Sequence, residues 1–482
     1  MVRSILPLIA LALLPMGWQA RGAVEAFKLT TDRTVDNSSL ESITADVVRM
    51  AGAKTNDEKA IAIHLYLHRT IFHWAYATEK APQSVGPLKL INVYGWGLCG
   101  GQHTVLKALF ETMGWKVRYV GWPGHTTIEV EYDGKWHYFD TFLKCYYWAK
   151  DKSHVAGQEE IAADPSIVLD SVKDGRASAE NLCCGDTQEG VVAGCKAMKI
   201  VGDSKGWASV TWRDNNYNPL LTLRSGATVR QDWKAEPNGF AITGKAPQHS
   251  CGTKDFRNDK VLGPLNEHYG PRNWSDGLFS YKPDFAKAAD VVDIELKDAK
   301  ADGGKLAASG KGTAVFKLDL PYCFVTAKLD AAFEGDGKLA LSFDGGKTWA
   351  DAAAGDISAQ AKQKYGVWVK AEFSGALTKF AVEGMLEHNR GAQPYLYNGK
   401  NAVTVATKDN KLPAGTVLKV TYAYQEATAP GDRQRWDGKG VTYGETKTVA
   451  KEITSLPFTF EIDVGGNTPP KMLSIERAVV GK

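Results

Sequence analysis

Gly95-Trp96-Gly97-Leu98-Cys99-Gly100-Gly101, leading into the amphipathic segment 102–113, is the stretch on which the reading of this chain turns. Val105, Leu106, Leu109, Phe110 and Met113 give that segment an apolar stripe, so a packed helix starts at Cys99. A thiol in the first turn of a helix meets unpaired backbone N–H groups and the positive end of the dipole, and both favour the thiolate. Gly100 and Gly101 are poor helix formers, each about 1 kcal/mol worse than alanine. Their place beside Cys99 implies that backbone approaches a substrate closely. Working outward, His125 follows the turn Gly121-Trp122-Pro123-Gly124, and Asp140 closes Lys135-Trp136-His137-Tyr138-Phe139-Asp140.

Three short strands are expected over residues 117–120, 126–132 and 136–139, with Asp133-Gly134 as a hairpin turn. In an extended strand His125, Thr127, Glu129 and Glu131 share one face, the more polar one. A hairpin brings His125 and Asp140 towards each other. The imidazole can then take the thiol proton and later protonate a leaving amine, while the carboxylate fixes its tautomer. Alone, Cys99 reads as a buried small residue or half a disulfide, His125 as a turn residue, and Asp140 as the end of a strand. Their order and spacing together favour a catalytic unit. Trp96, Gly100, Gly101 and Trp122 are the candidates to line its cleft. His137 is a weak substitute for His125.

These motifs resemble the transglutaminase-like superfamily of papain-type thiol enzymes over residues 55–150. The likeness is carried by Gly97-Leu98-Cys99, by Leu106-Lys107-Ala108-Leu109-Phe110, by Gly114-Trp115-Lys116-Val117-Arg118-Tyr119-Val120, by Gly124-His125 and by Trp136-His137-Tyr138-Phe139-Asp140-Thr141. The resemblance implies Cys99 as nucleophile, His125 as base and Asp140 as orienting acid, with no cofactor. Two positions depart from the family pattern. His125 is followed by Thr126-Thr127 where alanine-tryptophan is common, and Asp140 by Thr141 where proline is common. The superfamily holds crosslinking enzymes, peptidases, amidases and inactive scaffolds, so the resemblance does not choose a substrate.

The rest of the 482 residues sets bounds. A formal charge of +3 on 58 basic and 55 acidic residues gives no reason to expect nucleic acid as a partner. Arg3, the short apolar run 5–14 and the small residues of Val24-Glu25-Ala26 read as an export signal over 1–26. A secreted or periplasmic location follows, with no integral membrane segment after cleavage. Export permits disulfides. Setting Cys99 aside leaves Cys145, Cys183, Cys184, Cys195, Cys251 and Cys323, among which one to three bridges are expected. No metal site is expected. Cys183, Cys184 and Cys195 lack a histidine at useful spacing, and His64, His68 and His73 lack the glutamate of the zinc protease pattern.

The expected architecture is α+β: a papain/transglutaminase-like domain over 27–150, an aromatic-rich mixed region over 151–298, and an all-β sandwich over 299–482 entered through a linker at 299–304. Helices are expected over 40–50 and 57–70. Within the β region, Ser342-Phe343-Asp344-Gly345-Gly346-Lys347-Thr348-Trp349 looks like an Asp-box, with Ser342, Asp344, Gly346 and Trp349 in structural roles. The functional expectation is an exported thiol enzyme acting on amide bonds of a protein, peptide or cell-wall substrate, with possible polysaccharide contact through the β domain. The alternative is a non-catalytic envelope or polysaccharide-binding protein on the same scaffold.

Overall fold

The computed structural model describes residues 22–80, 84–143, 145–173, 187–202, 217–244, 274–429, 441–466 and 469–481. The protein is α+β, with helices gathered near the N-terminus and a large antiparallel sheet built mainly from the second half. Strand β1 (Ala23–Thr31) precedes helices α1 (Leu40–Ala51), α2 (Asn56–Thr70) and α3 (Cys99–Thr112). Both α1 and α2 open with a capping box, from Ser39 with Ser42 and from Thr55 with Glu58, which satisfies backbone donors that a helix start leaves unpaired. Helix α3 has no side-chain cap at Leu98, so its first N–H groups are left for the Cys99 sulfur. It is buried from Cys99 through Phe110.

Strands β2 (Lys116–Trp122), β3 (His125–Tyr132) and β4 (Lys135–Phe139) form an antiparallel meander, and β5 (Lys199–Gly202) adds to the far edge of β2. Pro123-Gly124 turns β2 into β3 with Trp122 opposite His125. Asp133 (φ 51°) and Gly134 (φ 74°) make the left-handed pair that a two-residue hairpin needs. The more polar face of this meander is nevertheless covered, for Thr127 and Glu129 are both buried. A second small core, with Val120, Tyr138, Ile161 and Val191, covers it. Glu129 keeps its place there by pairing with Arg118 (2.7 Å) and accepting from the Gln158 N–H.

The twelve-stranded sheet does not respect a boundary at 299. The long strand Gly366–Asn389 pairs through residues 366–377 with Lys305–Asp319 and through residues 382–389 with Trp274–Tyr281. The sheet then continues through Ala227–Asp232, Lys471–Gly481, Thr416–Ala429 and Thr442–Ile453. Residues 299–304 are not a linker. They end one arm of a hairpin, Glu295–Asp302 paired with Lys305–Asp319, whose turn is Gly303-Gly304. Strand β1 also lies outside the thiol region. It sits between Gly399–Ala406 and Leu221–Arg224 in a separate four-stranded sheet, with Val24 and Phe27 buried. Pairings hundreds of residues apart leave no local pattern in the sequence, whereas the hairpin turns do.

One hydrophobic core runs from Ile43 in α1 to Val479 in the last strand. Asn389, at the end of the long strand, ties sheet to helices by donating to the carbonyls of Thr70 (2.9 Å) and Ile91 (2.6 Å). Gly95 makes this approach possible: it holds φ at 66°, and a Cβ there would lie 2.7 Å from the Asn389 side chain. No helix among the described residues is long and apolar enough to cross a membrane.

Candidate active site

Cys99, His125 and Asp140 come together. Helix α3 presents Cys99 in its first turn, β3 presents His125 in its first position, and Asp140 directly follows β4. His125 Nε2 lies 2.6 Å from Asp140 Oδ2, which leaves Nδ1 for the sulfur. His125 and the backbone N–H groups of Thr126 and Gly100 lie close enough to Cys99 to draw its thiol down.

The electrostatics of the three are coupled. Burial pushes the Cys99 thiol up, but the bond to His125, the charge of that ring and the two backbone donors outweigh it, so the thiol lies below its ordinary value. Burial pushes His125 down, and Asp140 more than reverses this, raising it to about 9. Burial likewise opposes ionisation of Asp140, while His125, His103 and the Leu143 N–H (2.8 Å) bring it down to about 2. The three shifts all favour the charged form of their group. Asp140 is locked in place by a reciprocal backbone bridge to Cys145, both bonds 2.9 Å.

His103 is the residue sequence reasoning missed. It lies one helical turn after Cys99, so its ring reaches back over that turn. Its Nδ1–H donates to the Cys99 carbonyl (2.7 Å), and its Nε2 accepts from the Thr141 N–H (3.0 Å). The same Nε2 is 3.7 Å from Asp140 Oδ1. Burial holds this ring neutral, at about 4. Asp140 thus lies between two imidazoles, one charged and one neutral. The spacing Cys99–His103 was a signal in the sequence, masked by an apolar helix in which a histidine reads as core.

The cleft differs from expectation. Trp96 does not flank it: the indole is fully buried, edge-on to Trp74 and Tyr94, and its Nε1 faces Glu387 (3.4 Å). An aromatic beside glycine suits core as well as mouth, and here the sheet covers it. Gly100 and Gly101 are buried in the first turn of α3. Trp122 does sit at the site, its ring edge-on to His125 at 5.0 Å, and its Nε1 is buried without a hydrogen-bond partner. Phe142 packs edge-on to His125 at 5.0 Å and lies tilted against His73 at 3.9 Å. Tyr76 is near enough for Cys99 to add to the upward push that burial gives its phenol. Phe142, His73 and Tyr76 come from loops and a two-residue strand, which carry no periodic signal.

Other sequence candidates lie elsewhere. His137 is buried, stacked on Tyr132 (3.7 Å) and bonded to the Val155 carbonyl (2.6 Å). His64 packs on Phe139 (5.5 Å), and the side chain of His68 lies outside the described residues. Cys145 and Cys323 are buried free thiols, Cys145 bonded to Tyr147 (3.0 Å). Cys183, Cys184 and Cys251 lie outside the described residues. In the Asp-box turn, Asp344 accepts from the Thr348 N–H (2.9 Å), the Thr348 hydroxyl (2.6 Å) and Ser342 (2.8 Å), and these bonds draw it down to about 2. Gly346 donates to Ser342 (2.9 Å), and Lys370 lies over the half-buried Trp349 ring at 5.2 Å.

No family model and no curated protein matches the chain. Among solved structures, the glycoside hydrolase domain of Endo-D from Streptococcus pneumoniae R6 aligns at 14% identity over 45% of this chain and 38% of that one. Its TM-score is 0.13, and the likeness carries no argument.

Proposed function

We propose that this protein is an exported thiol enzyme that cleaves or transfers acyl groups at amide bonds, with a transglutaminase-like arrangement of Cys99, His125 and Asp140. The observation that supports the reading is the 2.6 Å contact between His125 and Asp140, beside a Cys99 thiol that the same imidazole draws down. A structural histidine needs no partner that raises its basicity and a thiol at once.

In the proposed reaction the Cys99 thiolate attacks the amide carbon, and the carbonyl π electrons move to oxygen. The Gly100 and Thr126 N–H groups, which draw the Cys99 thiol down, are the donors that would stabilise the negative charge on that oxygen. His125 gives its Nδ1 proton to the amine, the C–N bond breaks, and a thioester remains. Water or a second amine then attacks the thioester while His125 takes its proton, and the C–S bond breaks to return the thiolate. Trp122 and Phe142 each pack edge-on to the imidazole and help to fix its orientation. The substrate class is a peptide or cell-wall amide.

The test is labelling by a peptide-like electrophile, read by mass mapping, followed by assay on peptides and cell-wall fragments. Saturable labelling at Cys99, suppressed by substrate and absent in Cys99→Ala, is expected. Equal labelling of the wild type and that variant would overturn the reading.

A further inference from the structure

Far along the chain from Cys99, a cavity of about 60 Å³ lies between β1, residues 36–38 and the last strand. A void needs about 10–15 Å³ on this measure to hold one water, so a small organic ion fits. Arg477 lines it and is only 4% exposed. Two of its donors are taken by neutral amides, Nη1 by Gln231 Oε1 and Nη2 by Gln393 Oε1 (3.3 Å). A guanidinium has five N–H donors in a rigid fork. Among the described residues no carboxylate pairs with it. The ionisable groups that face it are Tyr322, Tyr422 and His388, and burial holds His388 neutral.

Taking a guanidinium out of water is costly unless an opposite charge accompanies it. The cavity wall does contain a carboxylate, Asp36, but Lys28 already neutralises it. Those two side chains are 16% and 36% exposed and mark the open end, whereas Arg477 is the closed end. The cavity therefore carries one uncompensated positive charge at its base. We infer that it is a binding site for a small monocarboxylate, held by the Arg477 fork. A carboxylate matches the planar geometry and the single charge. A phosphate dianion would bring excess charge close to Asp36. The inference is independent of the chemistry proposed for Cys99.

Thermal unfolding of the full chain in sodium acetate, against sodium chloride at equal ionic strength, is the first test. The expected result is a saturable rise of about 2–4 °C at acetate well above its dissociation constant. The rise should vanish in Arg477→Met, which keeps the volume and removes the charge. Line broadening of methyl-labelled acetate by the wild type, reversed by excess formate, does not depend on how the variant folds. A shift that never saturates, one equal in chloride, one that survives Arg477→Met, or the absence of broadening each overturns the site.

Discussion

The thiol site and the face of the large sheet bury carboxylates equally and treat them in opposite ways. Asp140 and Glu387 are both fully buried. Burial favours the protonated form of each, yet Asp140 falls to about 2 while Glu387 rises to about 8. The difference lies in what surrounds them. Asp140 has a cationic imidazole at 2.6 Å and an N–H from Leu143. Glu387 has the Ala241 N–H (2.8 Å) and the Trp96 indole (3.4 Å), and its cross-strand neighbour is another acid, Asp276. Two neutral donors do not offset desolvation, whereas a coupled cation does. Depth alone therefore does not mark a functional acid in this molecule. The proposed function rests instead on an acid kept charged by the imidazole beside a thiol.

Breaking the charged side of this comparison has the largest expected effect. Cys99→Ala should abolish turnover while leaving the unfolding temperature within a few degrees, checked by amide hydrolysis and calorimetry. His125→Ala should lower the alkylation rate of Cys99 at neutral pH by about 100-fold, since general base partners contribute about 10²–10⁴. Asp140→Asn should bring a similar loss in turnover and move the upper limb of the pH–rate profile down from about 9, because the group that raises His125 is gone. A profile unchanged by Asp140→Asn would remove the carboxylate from the account.

His103 sharpens the same comparison, because it shares Asp140 without being charged. His103→Phe removes the donor to the Cys99 carbonyl and the acceptor for the Thr141 N–H. A loss of about 1–3 kcal/mol in stability is expected from the buried groups left unpaired. Thiolate reactivity should fall less than in His125→Ala. His103→Gln should recover part of both, read by denaturant unfolding and alkylation rate.

The sheet side has its own pH signature. Glu387 has a folded value above its unfolded one, so its contribution is fully present below about pH 4.5 and is lost as pH rises towards about 8. Glu387→Gln should flatten that decline, read by denaturant unfolding at pH 5 and pH 8. Asp140 has the reverse sign, its contribution being present above about pH 4 and lost as pH falls through about 2.

The sequence made the local parts of the site legible. An apolar stripe after Cys99 announced α3, and Pro123-Gly124 and Asp133-Gly134 announced the two hairpins that bring His125 beside Asp140. What it concealed was non-local. Nothing in Ala23–Thr31 shows that its partners are residues 221–224 and 403–406. Nothing around Trp96 tells mouth from core until the long strand covers it. Nothing in the strand shows that Glu129 is covered, because its cover, the segment around Gln158, comes later in the chain.

The most direct test of the central claim is the alkylation rate of Cys99 as a function of pH, read by mass mapping of that one peptide. A paired thiolate should show its inflection below the ordinary thiol value of about 8.5, and at a lower pH than the same thiol in His125→Ala. A rate still rising tenfold per pH unit through about pH 8, as a free thiol shows, would contradict it.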